Sequence, residues 1–203
     1  MADARTDPRP GLVLVVEDSH VQAKIICRHL QAMSSFETVA AESMAEAAAV
    51  VQREKGRLLA AVVNMNLPDA PDGEAADMLM AAGVPTIVLT AIFKEEVRAA
   101  LLAKQVTDYV VKENMAALDD LVAITTRLYR NLGVTALVVD DEPVARTLMR
   151  RMLENQRYSV LEADGGQPAL DLVRSRPEIS LVVTDYHMPG MDGFELTREL
   201  RRE

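Results

Sequence analysis

Short, largely apolar runs alternate with longer stretches in which apolar residues recur every three or four positions. LVLVV (Leu12–Val16), LLAAVV (Leu58–Val63), PTIVLT (Pro85–Thr90) and DYVV (Asp108–Val111) are of the first kind. Runs that are apolar on both faces predict strands covered on both sides. TVA (Thr38–Ala40) predicts a further short strand. Between the runs lie helical patterns. Ser19 is placed to cap a helix reaching Met33, with Val21, Ile25, Ile26 and Leu30 on one side. Ser43 is placed to cap a helix from Met44 to about Lys55, closed by Gly56. Further helices are predicted near Ala75–Ala82, Glu95–Lys104 and Met115–Leu132. Five strands alternating with five helices predict a parallel α/β sheet with helices on both faces.

The pattern then restarts. TALVVDDEPVARTLMRRML, from Thr135, repeats LVLVVEDSHVQAKIICRHL, from Leu12, at an offset of 123. Glu17 and Asp18 align with Asp140 and Asp141, Val21 with Val144, and Ile25 with Leu148. VVNMNLPDAPDG and VVTDYHMPGMDG align Asn64 with Asp185 at an offset of 121. This domain-scale repeat predicts one domain over residues 10–132 and a second over 134–203, joined near Asn131–Thr135 with Gly133 as the flexible residue. In the first copy Lys112 follows Asn64 by 48 residues, and the same spacing from Asp185 runs past Glu203. The second copy is therefore expected to be incomplete, the chain being either a fragment or a half-domain that a partner completes.

Composition narrows the function. A net charge of −9 argues against direct nucleic-acid binding, which needs a basic face, and 3% aromatic residues without Trp supply few stacking platforms. No run of 18 apolar residues or apolar signal core is present, so a cytoplasmic chain without membrane attachment is expected. The single cysteine, Cys27, excludes an internal disulfide and is read as a small helix residue facing the core. Arg146, Arg150 and Arg151 are read as a solvated helix face, and His187 as a solvent-facing loop residue.

Asp140, Asp141 and Asp185 fall at the C-terminal ends of adjacent strands in a 2-1-3-4-5 order, the edge where such sheets bind ligands. Gathered carboxylates repel one another and favour a hard divalent cation. A carboxylate beside such a cation can attack phosphorus and form an acyl phosphate.

VVDDEP followed by TDYHMPGMDG resembles the response-regulator receiver domains of two-component signalling, and the likeness runs through both copies. The resemblance implies a flavodoxin-like (βα)5 doubly wound fold, repeated, with Asp185 as phosphoacceptor. It implies Mg²⁺ held by Asp141, Asp185 and the backbone carbonyl of His187, with Asp140 acting through a metal-bound water. In the first copy it matches Thr90 to the hydroxyl that contacts the phosphoryl group, Lys112 to the lysine that pairs with it, and Tyr109 to the aromatic switch. Two positions depart from the family: Glu113 stands where proline is usual, and Asn64 stands at the acceptor. An amide oxygen is uncharged and a poor nucleophile, so the first copy resembles a pseudo-receiver with at most a weak cation site at Glu17 and Asp18.

The resemblance implies a phosphorelay phosphoprotein whose partner is a histidine kinase or a histidine phosphotransfer protein. The output domain would lie outside the chain, a diguanylate cyclase (GGDEF) domain being the expectation. No enzyme activity independent of such a domain is expected. The alternative is an unphosphorylated receiver-fold interaction module, with a homodimer formed through the open edge of the second copy. A phosphatase of the haloacid-dehalogenase type needs D-x-D-x-T, which DYHMP lacks.

Overall fold

The computed structural model describes residues 11–54, 56–91, 104, 106–112 and 115–202. The chain divides into two compact units, with the division between Tyr129 and Arg130.

In the first unit β1 (Leu12–Val16), α1 (His20–Met33), β2 (Glu37–Ala41), α2 (Met44–Arg53), β3 (Leu58–Asn64), α3 (Glu74–Ala81), β4 (Thr86–Thr90) and β5 (Asp108–Val111) follow one another. Then comes α4 (Ala116–Asn131), which runs into the boundary. The helix expected over Glu95–Lys104 and the departure at Glu113 lie outside the described residues, apart from Lys104 itself. The strands form one parallel sheet in the order β2-β1-β3-β4-β5.

Strand side chains alternate between faces, and the core divides accordingly. Leu12, Leu14 and Val16 pack with Val50 of α2 and Leu79 of α3. Val13 and Val15 pack on the other face with Ile26 and Leu30 of α1 and Leu121, Ile124 and Leu128 of α4. The β1 run is apolar throughout because each face has its own helical layer.

Helix starts are fixed locally. Ser19 Oγ accepts from Gln22 N (3.4 Å) at α1, and Ser43 Oγ accepts from Glu46 N (3.2 Å) at α2. Asp69 adds to the α2 start by accepting from Met44 N (3.1 Å) and Ala45 N (3.2 Å). The Met44 N–H, with its neighbours, holds the Asp69 carboxyl below its ordinary value. Gly56 and Gly133 take positive φ, +82° and +78°, where the chain leaves α2 and α4.

One expectation for α1 needs correction. Its buried residues are Ala23, Ile26 and Leu30, whereas Val21 and Ile25 are exposed. The helix meets the sheet along a stripe narrower than the apolar pattern. Cys27 is half-buried against the second cluster, and burial pushes its thiol up.

The second unit contains β6 (Thr135–Val139), α5 (Pro143–Asn155), β7 (Ser159–Ala163), α6 (Gly166–Ser175), β8 (Ile179–Thr184) and α7 (Gly193–Leu200). Its parallel sheet has the order β7-β6-β8, matching β2-β1-β3. Leu137 and Val139 pack with Ala169 and Leu170 of α6 and Leu196 of α7. α5 buries no residue fully, and Val144, Leu148 and Met152 are exposed.

The expectation of a solvated face at Arg146, Arg150 and Arg151 holds only for Arg151, which is exposed. Arg146 folds back to donate to the carbonyl of Asp140 (2.6 Å) and lies 3.5 Å from Glu162. Arg150 reaches Glu162 (3.2 Å) and Glu154 (3.1 Å). Glu162 of β7 draws two guanidinium groups of α5 toward the sheet. Among the described residues no helix is long and apolar enough to cross a membrane.

Candidate functional site

Parallel pairing brings the C-terminal ends of β1, β3, β4 and β5 to one edge of the first sheet. Val16 pairs with Val63, Asn64 with Leu89, and Thr90 with Val111. The residues there, including Glu17, Asp18, Asn64, Thr90 and Lys112, line a cleft of about 330 Å³. The sequence singled out these five, and the fold gathers all of them. Tyr109 is half-buried on β5 and packs against the first core cluster, outside the cleft lining.

The cleft is internally paired. The Glu17 carboxylate is almost fully buried (side chain 2% exposed), and its Oε2 lies 2.6 Å from Lys112 Nζ. Its Oε1 accepts from Ser19 N (3.3 Å). A buried carboxylate with a partnered ammonium is strongly held in place, because losing either partner leaves an uncompensated charge. Lys112 Nζ also donates to Gln22 Oε1 (3.3 Å). Asn64 Nδ2 donates to Asp18 Oδ1 (3.0 Å) and to the backbone carbonyl of Asn66 (3.0 Å), with Glu17 Oε1 at 3.5 Å. Asn66 and Gln22 were not anticipated from the sequence. Extending the repeat two residues past Asn64 aligns Asn66 with His187 and would have flagged it; nothing in the pattern marks Gln22.

The second unit places Asp140 and Asp141 just past β6 and Asp185 just past β8, on the matching edge. Asp185 N donates to the carbonyl of Val139 (2.8 Å), which ties the end of β8 to the end of β6. Asp185 Oδ2 accepts from His187 N (3.1 Å), which turns the loop tightly around the carboxylate. His187 is exposed, as expected, and its ring meets Tyr186 edge-on. Gly193 packs so closely that a Cβ there would run into the backbone carbonyl of Asp185. Gly190 takes φ +81°, so the two glycines of the MPGMDG block serve different purposes. Met188 is buried like its counterpart Leu67, anchoring the loop.

Asp140 Oδ1 accepts from Glu142 N (2.8 Å), whereas Asp141 and Asp185 are exposed. Among the described residues no three carboxylate, imidazole or thiol side chains converge into a ready cation cage. The donors present, carboxylates and peptide carbonyls, are hard oxygens, and Mg²⁺ keeps several waters and takes only one or two carboxylates. The second unit's donor set therefore fits Mg²⁺. In the first unit Lys112 and the Asn64 amide face the Glu17 and Asp18 oxygens.

Comparison with known proteins agrees with this geometry. The family model for the response regulator receiver domain matches residues 136–203. The rice (Oryza sativa subsp. indica) two-component response regulator ORR11 is 40% identical over 65 residues, 32% of this chain and 44% of its own length. The Escherichia coli K12 sensor protein EvgS is 46% identical over 70 residues, 34% of this chain and 6% of its own length. The chain thus spans less than half the length of these curated relatives. A crystal structure of a two-component system response regulator/GGDEF domain protein superimposes with a TM-score of 0.81 and 34% identity, covering 95% of this chain and 78% of that one. A second structure of a protein so described gives a TM-score of 0.80 at the same identity and coverage. With the 2-1-3-4-5 sheet and acidic residues at its C-terminal edge, the chain belongs to the response regulator receiver family of two-component signalling.

Proposed function

We propose that the chain is the regulatory region of a response regulator, built from a first receiver unit without acceptor chemistry and a second unit that accepts a phosphoryl group on Asp185. The observation that carries this reading is the pair of matched strand ends. Asn64 donates into its acidic neighbours, whereas Asp185 offers a carboxylate held by His187 N. Residues 10–132 and 134–203 would be the two functional domains.

In the proposed reaction a carboxylate oxygen of Asp185 attacks the phosphorus of a phosphohistidine. The new P–O bond forms as the P–N bond breaks, and the imidazole leaves with that electron pair and takes up a proton. Asp141, Asp185 and the backbone carbonyl of His187 would hold Mg²⁺, and Asp140 would act through a bound water. The cation supplies charge neutralisation for the phosphoryl oxygens. Adding charge and acceptor oxygens at the sheet edge would bias a two-state surface read by an output domain, a diguanylate cyclase being the form suggested by the GGDEF proteins of similar structure. The donor would be a histidine kinase or phosphotransfer protein.

The test is labelling with Mg²⁺ and a small phosphodonor, in a chain carrying the second unit with its sheet extended to five strands. One phosphoryl group is expected per chain, and none with Asp185→Asn. Label persisting in that variant would refute the assignment.

A further inference from the structure

In the first unit Asn64 Nδ2 has three oxygen neighbours: Asp18 Oδ1 and the Asn66 carbonyl at 3.0 Å, and Glu17 Oε1 at 3.5 Å. All are acceptors when the carboxylates are ionised, so the amide must face them with its nitrogen. The other oxygen of Glu17 lies 2.6 Å from Lys112 Nζ. Across the repeat, Asp18 and the Asn66 carbonyl correspond to Asp141 and the His187 carbonyl. Those are two of the oxygens a hard cation would take in the second unit. In the first unit N–H donors already cover their counterparts.

We infer that the first unit's acidic cleft is closed to divalent cations by its own donors. The Asn64 amide stands where the metal would stand, and the Lys112 ammonium supplies the positive charge. Two physical obstacles keep a cation out, and the second takes either of two forms. Asn64 would have to turn its Nδ2 away from two carbonyl or carboxylate oxygens at hydrogen-bond distance. Lys112 would have to leave a carboxylate that is buried and therefore poorly solvated without it. If Lys112 stayed, it would keep one Glu17 oxygen and its ammonium would repel the incoming dication. The missing carboxylate at position 64 is thus only part of the exclusion. The first unit carries its counter-charge in its own chain, and its cleft is set in one arrangement whatever the Mg²⁺ concentration. This rests on the reading of the first unit as a receiver without acceptor chemistry, and not on phosphorylation of Asp185.

The experiment is Mn²⁺ titration of the full chain, followed by electron paramagnetic resonance, with the second unit's site removed by Asp141→Asn and Asp185→Asn. This background is expected to bind no Mn²⁺ in the low millimolar range. Adding Asn64→Ala with Lys112→Met deletes both donors and introduces no carboxylate. It is expected to tighten Mn²⁺ binding by about tenfold or more, with Glu17, Asp18 and the Asn66 carbonyl as ligands. Circular dichroism reports whether this variant stays folded. If it does not, Asn64→Ala alone, which keeps the Lys112–Glu17 pair, is expected to give a smaller gain in the same direction. Mn²⁺ bound by the background would overturn the inference. So would donor deletions in a folded chain that leave affinity unchanged, since the lost carboxylate would then be the whole cause. Either result leaves labelling of Asp185 untouched, because the titration is made without that residue.

Discussion

Ile26 and Met149 occupy matching positions on the first helices of their units, yet Ile26 is 5% exposed and Met149 37%. The sheets differ in the same sense. All but the last residue of β3 is buried, while β8 is only half-buried along most of its length. Two elements make the difference: α4 of the first unit, whose Leu121, Ile124 and Leu128 close over Ile26 and Leu30, and β4, which flanks β3 where β8 is the last strand of its sheet. An apolar stripe marks which face a helix offers to a core; the partner element decides whether that face is covered. The strand ends teach a parallel lesson. Asn64 and Asp185 sit at the same place on the same sheet edge. One donates hydrogen bonds inward, and the other accepts one from the loop that follows it.

The sharpest contrast is expected in the cores. Leu30→Ala removes a fully buried side chain and is expected to cost about 3–5 kcal/mol in the first unit's urea transition. Leu153→Ala, at the matching half-buried position, is expected to cost less than about 1.5 kcal/mol. Equal costs would mean that the face of α5 is packed as tightly as that of α1.

Next comes the ion pair. Lys112→Met strands the buried Glu17 carboxylate and is expected to cost about 3 kcal/mol, toward the low end for broken buried pairs because Lys112 is 22% exposed. Asp140 of the second unit, matched to Glu17, is only partly buried, and Asp140→Asn is expected to change stability by under about 1 kcal/mol. A large effect at Asp140 would erase the difference in internal pairing between the units.

The fold was legible where local rules suffice. Leu12–Val16 and Asp108–Val111 are strands with the expected ends, because apolar runs flanked by polar residues leave little freedom in register. Ser19 and Ser43 cap the helices they were expected to cap, since a hydroxyl in that position satisfies an otherwise unpaired N–H. The cleft was legible as a set of residues, because strand ends in a parallel sheet converge on one edge. Its internal pairing was not. That Asn64 reaches the Asn66 carbonyl, or that Arg146 turns back onto the carbonyl of Asp140, depends on side-chain directions that no spacing specifies. Val21 and Ile25 lie outside the core for a similar reason: periodicity gives a face but not its width.

The smallest expected effect concerns pH. Asp69 lies in the first unit's loop and accepts from Met44 N and Ala45 N, so its folded carboxyl titrates below the ordinary value of 3.8. Its contribution is fully present above that value and is lost as the pH falls through the lower, folded-state value. Gly190 aligns with Asp69 in the second unit, so this term belongs to the first unit. Asp69→Asn is expected to flatten the acid limb of the first unit's stability curve slightly; an unchanged limb would remove Asp69 from the α2 start.

The central claim is that the acceptor difference between Asn64 and Asp185 assigns phosphoryl chemistry to one unit only. Peptide-resolved mass spectrometry, after exposure to Mg²⁺ and a small phosphodonor, tests it most directly in a chain whose second unit is extended to a five-stranded sheet. The phosphoryl group is expected on the peptide containing Asp185, with the peptides containing Asn64, Glu17 and Asp18 unmodified. Label on any first-unit peptide, or a chain labelled equally well after Asp185→Asn, would contradict it.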